Sequence, residues 1–159
     1  PICMGLVLFI SSNILNTTVK NDYIKVYGLY GNKIDIADIE ELSLEEKIPM
    51  VNKVVNGIIL GNGKKKGYFK LGDKNVRLYL YNSEGPYIYI QTAKDEYYLN
   101  LPTVEKTKSL YDEIMEEKVQ RKTQRKEDVK AYEGYYKVNF DDNGYLFAYQ
   151  RKEKKSRKW

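Results

Sequence analysis

The chain has 159 residues, 42% apolar and 31% charged, which suits one domain with a core and excludes a fully disordered polymer. Its formal charge of +5 is uneven: residues 121–159 carry +6 and residues 1–120 carry −1, so the basic character belongs to the C-terminal quarter. Histidine is absent and Cys3 is the single cysteine, which excludes Ser-His-Asp and Cys-His nucleophilic centres, thiolate metal clusters and most zinc sites in their usual forms.

In chain order, residues 2–10 are apolar throughout, from Ile2 to Ile10, and polar residues follow from Ser11. Nine residues do not span a bilayer, which needs about 20. There is also no basic flank or small-residue cleavage site of a signal peptide. The stretch reads either as the trailing end of a transmembrane helix or as a buried strand, and the membrane-derived reading is preferred.

From Thr18 the pattern becomes strands and turns. Tyr23, Lys25 and Tyr27 alternate with Ile24 and Val26, and Tyr30-Gly31-Asn32-Lys33 forms a turn before Ile34-Asp35-Ile36. A strand is expected near 38–46 and ends by Pro49. The stretch NGIILGNGKKKGYFKL, 56–71, reads as strand, basic glycine loop and a second strand from about Gly67. Val76, Leu78 and Leu80 alternate with Arg77, Tyr79 and Tyr81. Beyond the turn Ser83-Glu84-Gly85-Pro86, Ile88 and Ile90 alternate with Tyr87 and Tyr89, and Tyr97, Leu99 and Leu101 complete the series. Sixteen tyrosines against 4 phenylalanines suit such pleated, half-buried surfaces. Six or seven short strands predict a small antiparallel barrel or sandwich.

The period changes at Pro102. Thr103 is the expected N-cap, and Val104, Leu110, Tyr111, Ile114, Met115 and Val119 form a helical stripe that fades into charge at 121–130. Residues 132–150 read as a β-hairpin turning at Asp141-Asp142-Asn143-Gly144, and Arg151–Trp159 as a basic tail. The organisation expected is therefore a stub and linker over 1–17, a β-rich body with a capping helix over 18–120, and a basic extension over 121–159.

The blocks DYIKVYGLYG, IDIADIEEL, GIILGNGKKKGYFKL and PYIYIQT, with the helix containing EKTKSLYDEI, resemble the bacterial pleckstrin-homology-like domains of small membrane-anchored proteins. The resemblance covers about residues 18–118. It implies a seven-stranded bent barrel capped by a C-terminal helix and preceded by transmembrane helices. Residues 2–10 would then be the end of such a helix. The hairpin beyond Lys130 is outside what the resemblance implies.

For chemistry, Glu40-Glu41, Glu45-Glu46 and Glu116-Glu117 lie in charged runs with no mark of a buried general acid/base pair. A non-enzymatic binding or scaffold module is the expected function, with no cofactor implied. The loop Gly61–Gly67 offers glycine backbone and Lys64, Lys65 and Lys66 to an anion, but its spacing is not that of a Walker A loop. A solvated hairpin loop is the competing reading. In relatives of the resembled fold that read phosphoinositides, basic residues lie in the first hairpin loop; here that loop has only Lys33. Asn139–Gly144 echoes the start of an EF-hand loop but lacks its bidentate Glu, and a hairpin turn explains it better.

Arg151, Lys152, Lys154 and Lys155 suit anionic lipid. Tyr79, Tyr81, Tyr87 and Tyr89 form either an exposed aromatic face for a protein or peptide partner or the cover of a curved sheet. The expected partner is an anionic membrane surface, with the cytoplasmic side favoured, or a protein or peptide. Nucleic acid, through the basic extension, is the alternative.

Overall fold

Alternation sets the first strands, as expected. The computed structural model describes residues 16–133, 136–140, 143 and 146–151. Within these, β1 (Thr17–Lys20), β2 (Tyr23–Val26) and β3 (Asn32–Asp35) pair in that order as an antiparallel sheet. Ile24, Val26 and Ile34 point to one side and are buried, while Tyr23 and Lys25 stay half-exposed on the other.

A short 3-10 turn at Ile36–Asp38 leads to the second sheet. Its strands are β4 (Ile39–Glu45), β5 (Val51–Ile59), β6 (Lys65–Leu71), β7 (Lys74–Leu80), β8 (Tyr87–Thr92) and β9 (Glu96–Leu99). They lie in the order β4-β8-β9-β7-β6-β5. Strand β5 begins five residues earlier than the glycine-rich stretch suggests, because Val51 pairs with Leu71.

Two features depart from an all-antiparallel barrel. Strand β9 hydrogen-bonds β8 on one side and runs parallel to β7 on the other, with Arg77, Leu78 and Tyr79 beside Tyr97, Tyr98 and Leu99. Consecutive strands β7 and β8 are thus separated by the strand that follows them. The two sheets are also distinct, and among the described residues neither closes into a barrel. The six-stranded sheet must nevertheless curl. Its outermost strands β4 and β5 are joined by residues 46–50, whose reach is roughly 20 Å, whereas a flat sheet would hold them about 24 Å apart. Directly paired Gly57 and Gly67 permit a close approach of β5 and β6. A Cβ on Gly67 (φ +118°) would lie 2.4 Å from the Asn56 carbonyl oxygen.

Two apolar clusters cover the two faces of this sheet. One joins Ile24, Val26, Ile34 and Ile36 to Tyr79, Ile88, Ile90, Tyr97 and Leu99, and to Leu110 and Ile114 of the helix. The other gathers Phe69, Leu71, Val76, Leu78, Leu80, Tyr87 and Tyr98, with Ile48 and Val51 packed against it. The connection between β4 and β5 therefore contributes to the covering of this second face.

Helix α1 (Val104–Glu133) starts at Thr103, whose Oγ1 accepts the Lys106 backbone N–H at 3.3 Å. The chain divides at Lys118/Val119 into two compact units. In the first, the buried stripe of α1 is Thr107, Leu110 and Ile114; Val104 and Met115, expected on it, are exposed at 41% and 37%. Val119 is exposed at 55%. In the second unit, β10 (Tyr136–Phe140) pairs antiparallel with β11 (Leu146–Arg151), which is the expected hairpin. Residues 1–15, including the apolar stretch 2–10, lie outside the described residues, as do most residues of the hairpin turn. Among the described residues no helix is long and apolar enough to cross a membrane.

The narrowed stripe sets a mutational contrast. Ile114→Ala should cost about 2–4 kcal/mol through the cavity it leaves. Val119→Ala should cost less than about 0.5 kcal/mol. Urea unfolding of the two variants checks this.

Candidate binding surface

The three lysines of the glycine loop diverge. A 3-10 turn at Gly61–Gly63 places Asn62 in the left-handed region (φ 61°), and Gly63 (φ 77°) packs so closely on Ser83 that a Cβ would overlap its hydroxyl. The loop is thereby pinned to residue 83, unlike a free hairpin loop. Lys64 Nζ lies 4.3 Å above the Tyr81 ring and Lys65 Nζ donates to the Gly63 carbonyl at 3.2 Å. Lys66 turns inward: it is 2% exposed and its Nζ donates to the Tyr27 carbonyl. Burial lowers the Lys66 pKa, because the charged form is desolvated. A cradle formed by Lys64, Lys65 and Lys66 together is thus not what this loop builds.

The four tyrosines do not share a face either. The register sets Tyr79 beside Leu99 and Leu99 beside Ile88, so Tyr79 joins the isoleucines of β8. Tyr89 is opposite Tyr98, and Tyr98 is beside Leu78, which puts Tyr89 on the reverse side. Tyr79 is 1% and Tyr87 4% exposed. Tyr81 and Tyr89 are half-buried, one against each apolar cluster. Sequence alternation places residues on a face within one strand; the insertion of β9 decides how faces of β7 and β8 correspond. Of the basic tail, Arg151 ends β11, and Lys152, Lys154 and Lys155 lie outside the described residues.

A polar network that the sequence did not disclose ties the two sheets. Asp95 accepts from Tyr68 Oη (3.1 Å), Arg77 Nε (3.2 Å) and Tyr97 Oη (3.3 Å), and the Arg77 guanidinium lies 3.9 Å from the Tyr68 ring centroid. Asn32 on β3 donates to Tyr97 Oη at 3.2 Å. Tyr79 Oη donates to the Tyr30 carbonyl at 3.0 Å, so with Lys66 it holds the turn between β2 and β3. Tyr30 has a φ of 57°, a conformation such ties help to maintain. The bonds to Asp95 tie strands within the six-stranded sheet, and those from Asn32, Tyr79 and Lys66 cross between the sheets.

A hollow of about 260 Å³ lies between Asn82–Gly85 and Leu101–Thr107. Asn100, behind this lining, donates to Asn82 and to the Glu84 carbonyl. Glu84 and Glu105 line the hollow, and hydrogen bonds to the helix start hold the Glu105 carboxyl below its ordinary pKa. Two carboxylates in the lining oppose an anionic ligand there. Among the described residues no group of His, Cys, Asp or Glu is placed to hold a metal ion.

The surface with the clearest chemistry lies at the margins of the six-stranded sheet. Residues 35–46 contain Asp35, Asp38, Glu40, Glu41, Glu45 and Glu46 and no base; residues 47–72 contain Lys47, Lys53, Lys64, Lys65, Lys66 and Lys70 and no acid. The first block includes margin strand β4 and the second includes margin strand β5. Lys53 is directly opposite Lys70 across the β5–β6 ladder, a like-charge pairing that is unfavourable alone. Salt bridges among the described residues join Lys33–Asp35, Lys74–Glu96 and Arg77–Asp95, and none engages Lys53, Lys70, Glu41 or Glu45. Beside the lysines, Val54, Val55 and Ile59 are exposed at 37%, 51% and 55%. Among the described residues β5 pairs only with β6. The sequence did hold a signal for this surface, the reversal of charge at residues 46/47. Pairing was needed to show that the two blocks end at opposite margins.

No family model, no curated protein and no solved structure matches the chain.

Burial pushes the Tyr97 hydroxyl up to about 12, with the neighbouring Asp95 carboxylate adding to the shift. A raised folded-state pKa contributes stability that is complete below the unfolded value near 10 and is lost as pH rises through the folded one. Stability should therefore fall between pH about 10 and about 12, and Tyr97→Phe should remove part of that dependence. Denaturant unfolding across this range, paired with tyrosinate absorbance, measures both.

Proposed function

We propose that this chain is a non-enzymatic binding and scaffold module of the pleckstrin-homology-like kind, whose contact element is the basic margin strand β5. One observation carries the reading: a sheet margin combines exposed apolar side chains with a lysine pair that has no carboxylate partner among the described residues. Such a margin accepts an extended segment by strand addition, in which the backbone supplies affinity and the flanking side chains supply selectivity. The partner is acidic, because Lys53 and Lys70 repel each other until a carboxylate lies between them. β-Bulges at Asn52 and Val55 interrupt the β5–β6 ladder and leave Asn56–Ile59 as a regular four-residue stretch. Bulges are a common way to limit indiscriminate pairing at a sheet margin, so contact is short and depends on charge.

The membrane-proximal part of the proposal rests on residues 2–10 and on the basic tail, where attraction to anionic lipid would keep the module near its partner. Anionic lipid is also the competing ligand for β5.

The probes are a synthetic peptide alternating Glu with Val, its Lys-for-Glu counterpart, and anionic vesicles. The acidic peptide should bind the full chain at low salt and shift amide resonances along β5 and β6. K53E/K70E should weaken that binding at least about tenfold, and the basic peptide should not bind. Vesicle binding that K53E/K70E removes, without peptide binding, would overturn the strand-addition reading in favour of lipid.

A further inference from the structure

We infer that the acid received at β5 is a phosphate monoester: the basic margin takes an extended segment through a phosphorylated side chain set between Lys53 and Lys70. This rests on the reading of β5 above and names the acidic group that the segment carries.

The strand registers define the face it meets. Lys53 is opposite Lys70 and Lys70 is opposite Asn75, so one row of side chains crosses β5, β6 and β7. The next row on that face is Asn56, Tyr68 and Arg77. These three strands contain no Asp or Glu. Asp95, which borders the face, already accepts from Tyr68 Oη, Arg77 Nε and Tyr97 Oη. Asp73 sits in the exposed turn between β6 and β7. Lys53 is exposed and Lys70 half-buried, and the salt bridges among the described residues include neither.

Charge decides between carboxylate and phosphate. Directly opposite side chains on one face have Cβ atoms about 5 Å apart, so the two ammonium groups present two positive charges to one place. A single glutamate answers one of them. A phosphate monoester brings about −1.5 to −2 at neutral pH and three acceptor oxygens, so it accepts charge-assisted hydrogen bonds from both lysines at once. Asn56 and Asn75, one beside each lysine, add amide donors without adding charge. In a segment paired outside β5, a side chain abreast of Lys53 lies one strand spacing, about 5 Å, from that residue and two from Lys70. The long lysine stem covers the difference.

The reverse face fixes what flanks the phosphorylated residue. Val54 is opposite Phe69 and Ile59 is opposite Lys65, which puts both on the side away from the lysine pair. Both are exposed, at 37% and 55%. Successive residues of an extended chain point to opposite faces, so the neighbours of the phosphorylated residue are apolar.

Three peptides of one Val-rich sequence, with serine, glutamate or phosphoserine at the centre, test this against the full chain at low salt. At about pH 7.5, where the phosphate is a dianion, phosphoserine should bind at least about tenfold more tightly than glutamate. That advantage should shrink as pH falls through about 6, where the second phosphate proton returns, while the glutamate peptide keeps its affinity. K53Q and K70Q, each checked for folding by circular dichroism, should each bring phosphoserine to within about threefold of glutamate. The pH profile of the wild-type chain stands even where a variant fails to fold.

An advantage that survives both substitutions, or one that is constant down to about pH 5, overturns the proposal. Inorganic phosphate and vesicles containing phosphatidic acid distinguish other sources of the same group. Inorganic phosphate that binds as tightly as the phosphoserine peptide rejects the segment, and vesicle binding that K70Q abolishes, without peptide binding, rejects it in favour of lipid. Equal affinity for glutamate and phosphoserine rejects the phosphate and leaves β5 as an acceptor of acidic segments; absence of binding by either peptide rejects the two readings together.

Discussion

The position of β9 is the constraint on which most of this molecule depends. The strand enters between β7 and β8 and runs parallel to β7, so the chain must leave β7, pass over one strand position, and return through β8 before β9 forms. That excursion fixes which side of the sheet each residue occupies. It sends Tyr79 into one core and Tyr87 into the other, although both alternate with apolar neighbours in similar ways. Asn100, buried at 2%, supports the excursion: its Oδ1 accepts the Tyr81 N–H at 2.7 Å and its Nδ2 donates to Asn82 and to the Glu84 carbonyl. A buried amide satisfied on both ends specifies one connection path among the alternatives.

The same order places β4 and β5, neighbours in sequence, at opposite margins. A charge reversal that would be a local feature of a hairpin becomes a polarity of the whole sheet. Bulges shorten both margins, so each keeps only four or five regularly paired residues. Short contact lengths keep backbone pairing weak and give charge a larger share in deciding what pairs. A scaffold that recognises acidic extended segments and restricts its own pairing is consistent with that balance.

The polar groups that look most reactive are used for cohesion. Arg77, Asp95, Tyr68 and Tyr97 form one half-buried network, and Asn32 extends it to the three-stranded sheet. Lys66 and Tyr79 reach across to backbone carbonyls of the turn between β2 and β3. Each of these groups is desolvated, and each finds a hydrogen-bond partner, which limits the cost of burial. The sheets are joined by apolar packing at Ile24, Val26 and Ile34 and by directional bonds beside it.

Local patterns in the sequence determined most of the strands, the helix start at Thr103 and the C-terminal hairpin. Alternation, glycine turns and a hydroxyl cap act within a few residues, so their effects can be read without the fold. Lys64, Lys65 and Lys66 also look alike in sequence, but a pleated strand turns neighbours to opposite sides, and only the tertiary arrangement buries Lys66 against Tyr27. The stripe on α1 was legible as a period; which of its residues are covered was set by the breadth of the surface beneath it, which reaches Leu110 and Ile114 and leaves Met115 exposed. The parallel β7–β9 pairing, the division of the tyrosines and the placement of the two charge blocks at opposite margins were decided by the tertiary structure alone, because strand order depends on contacts between residues far apart in the chain and no local period records it.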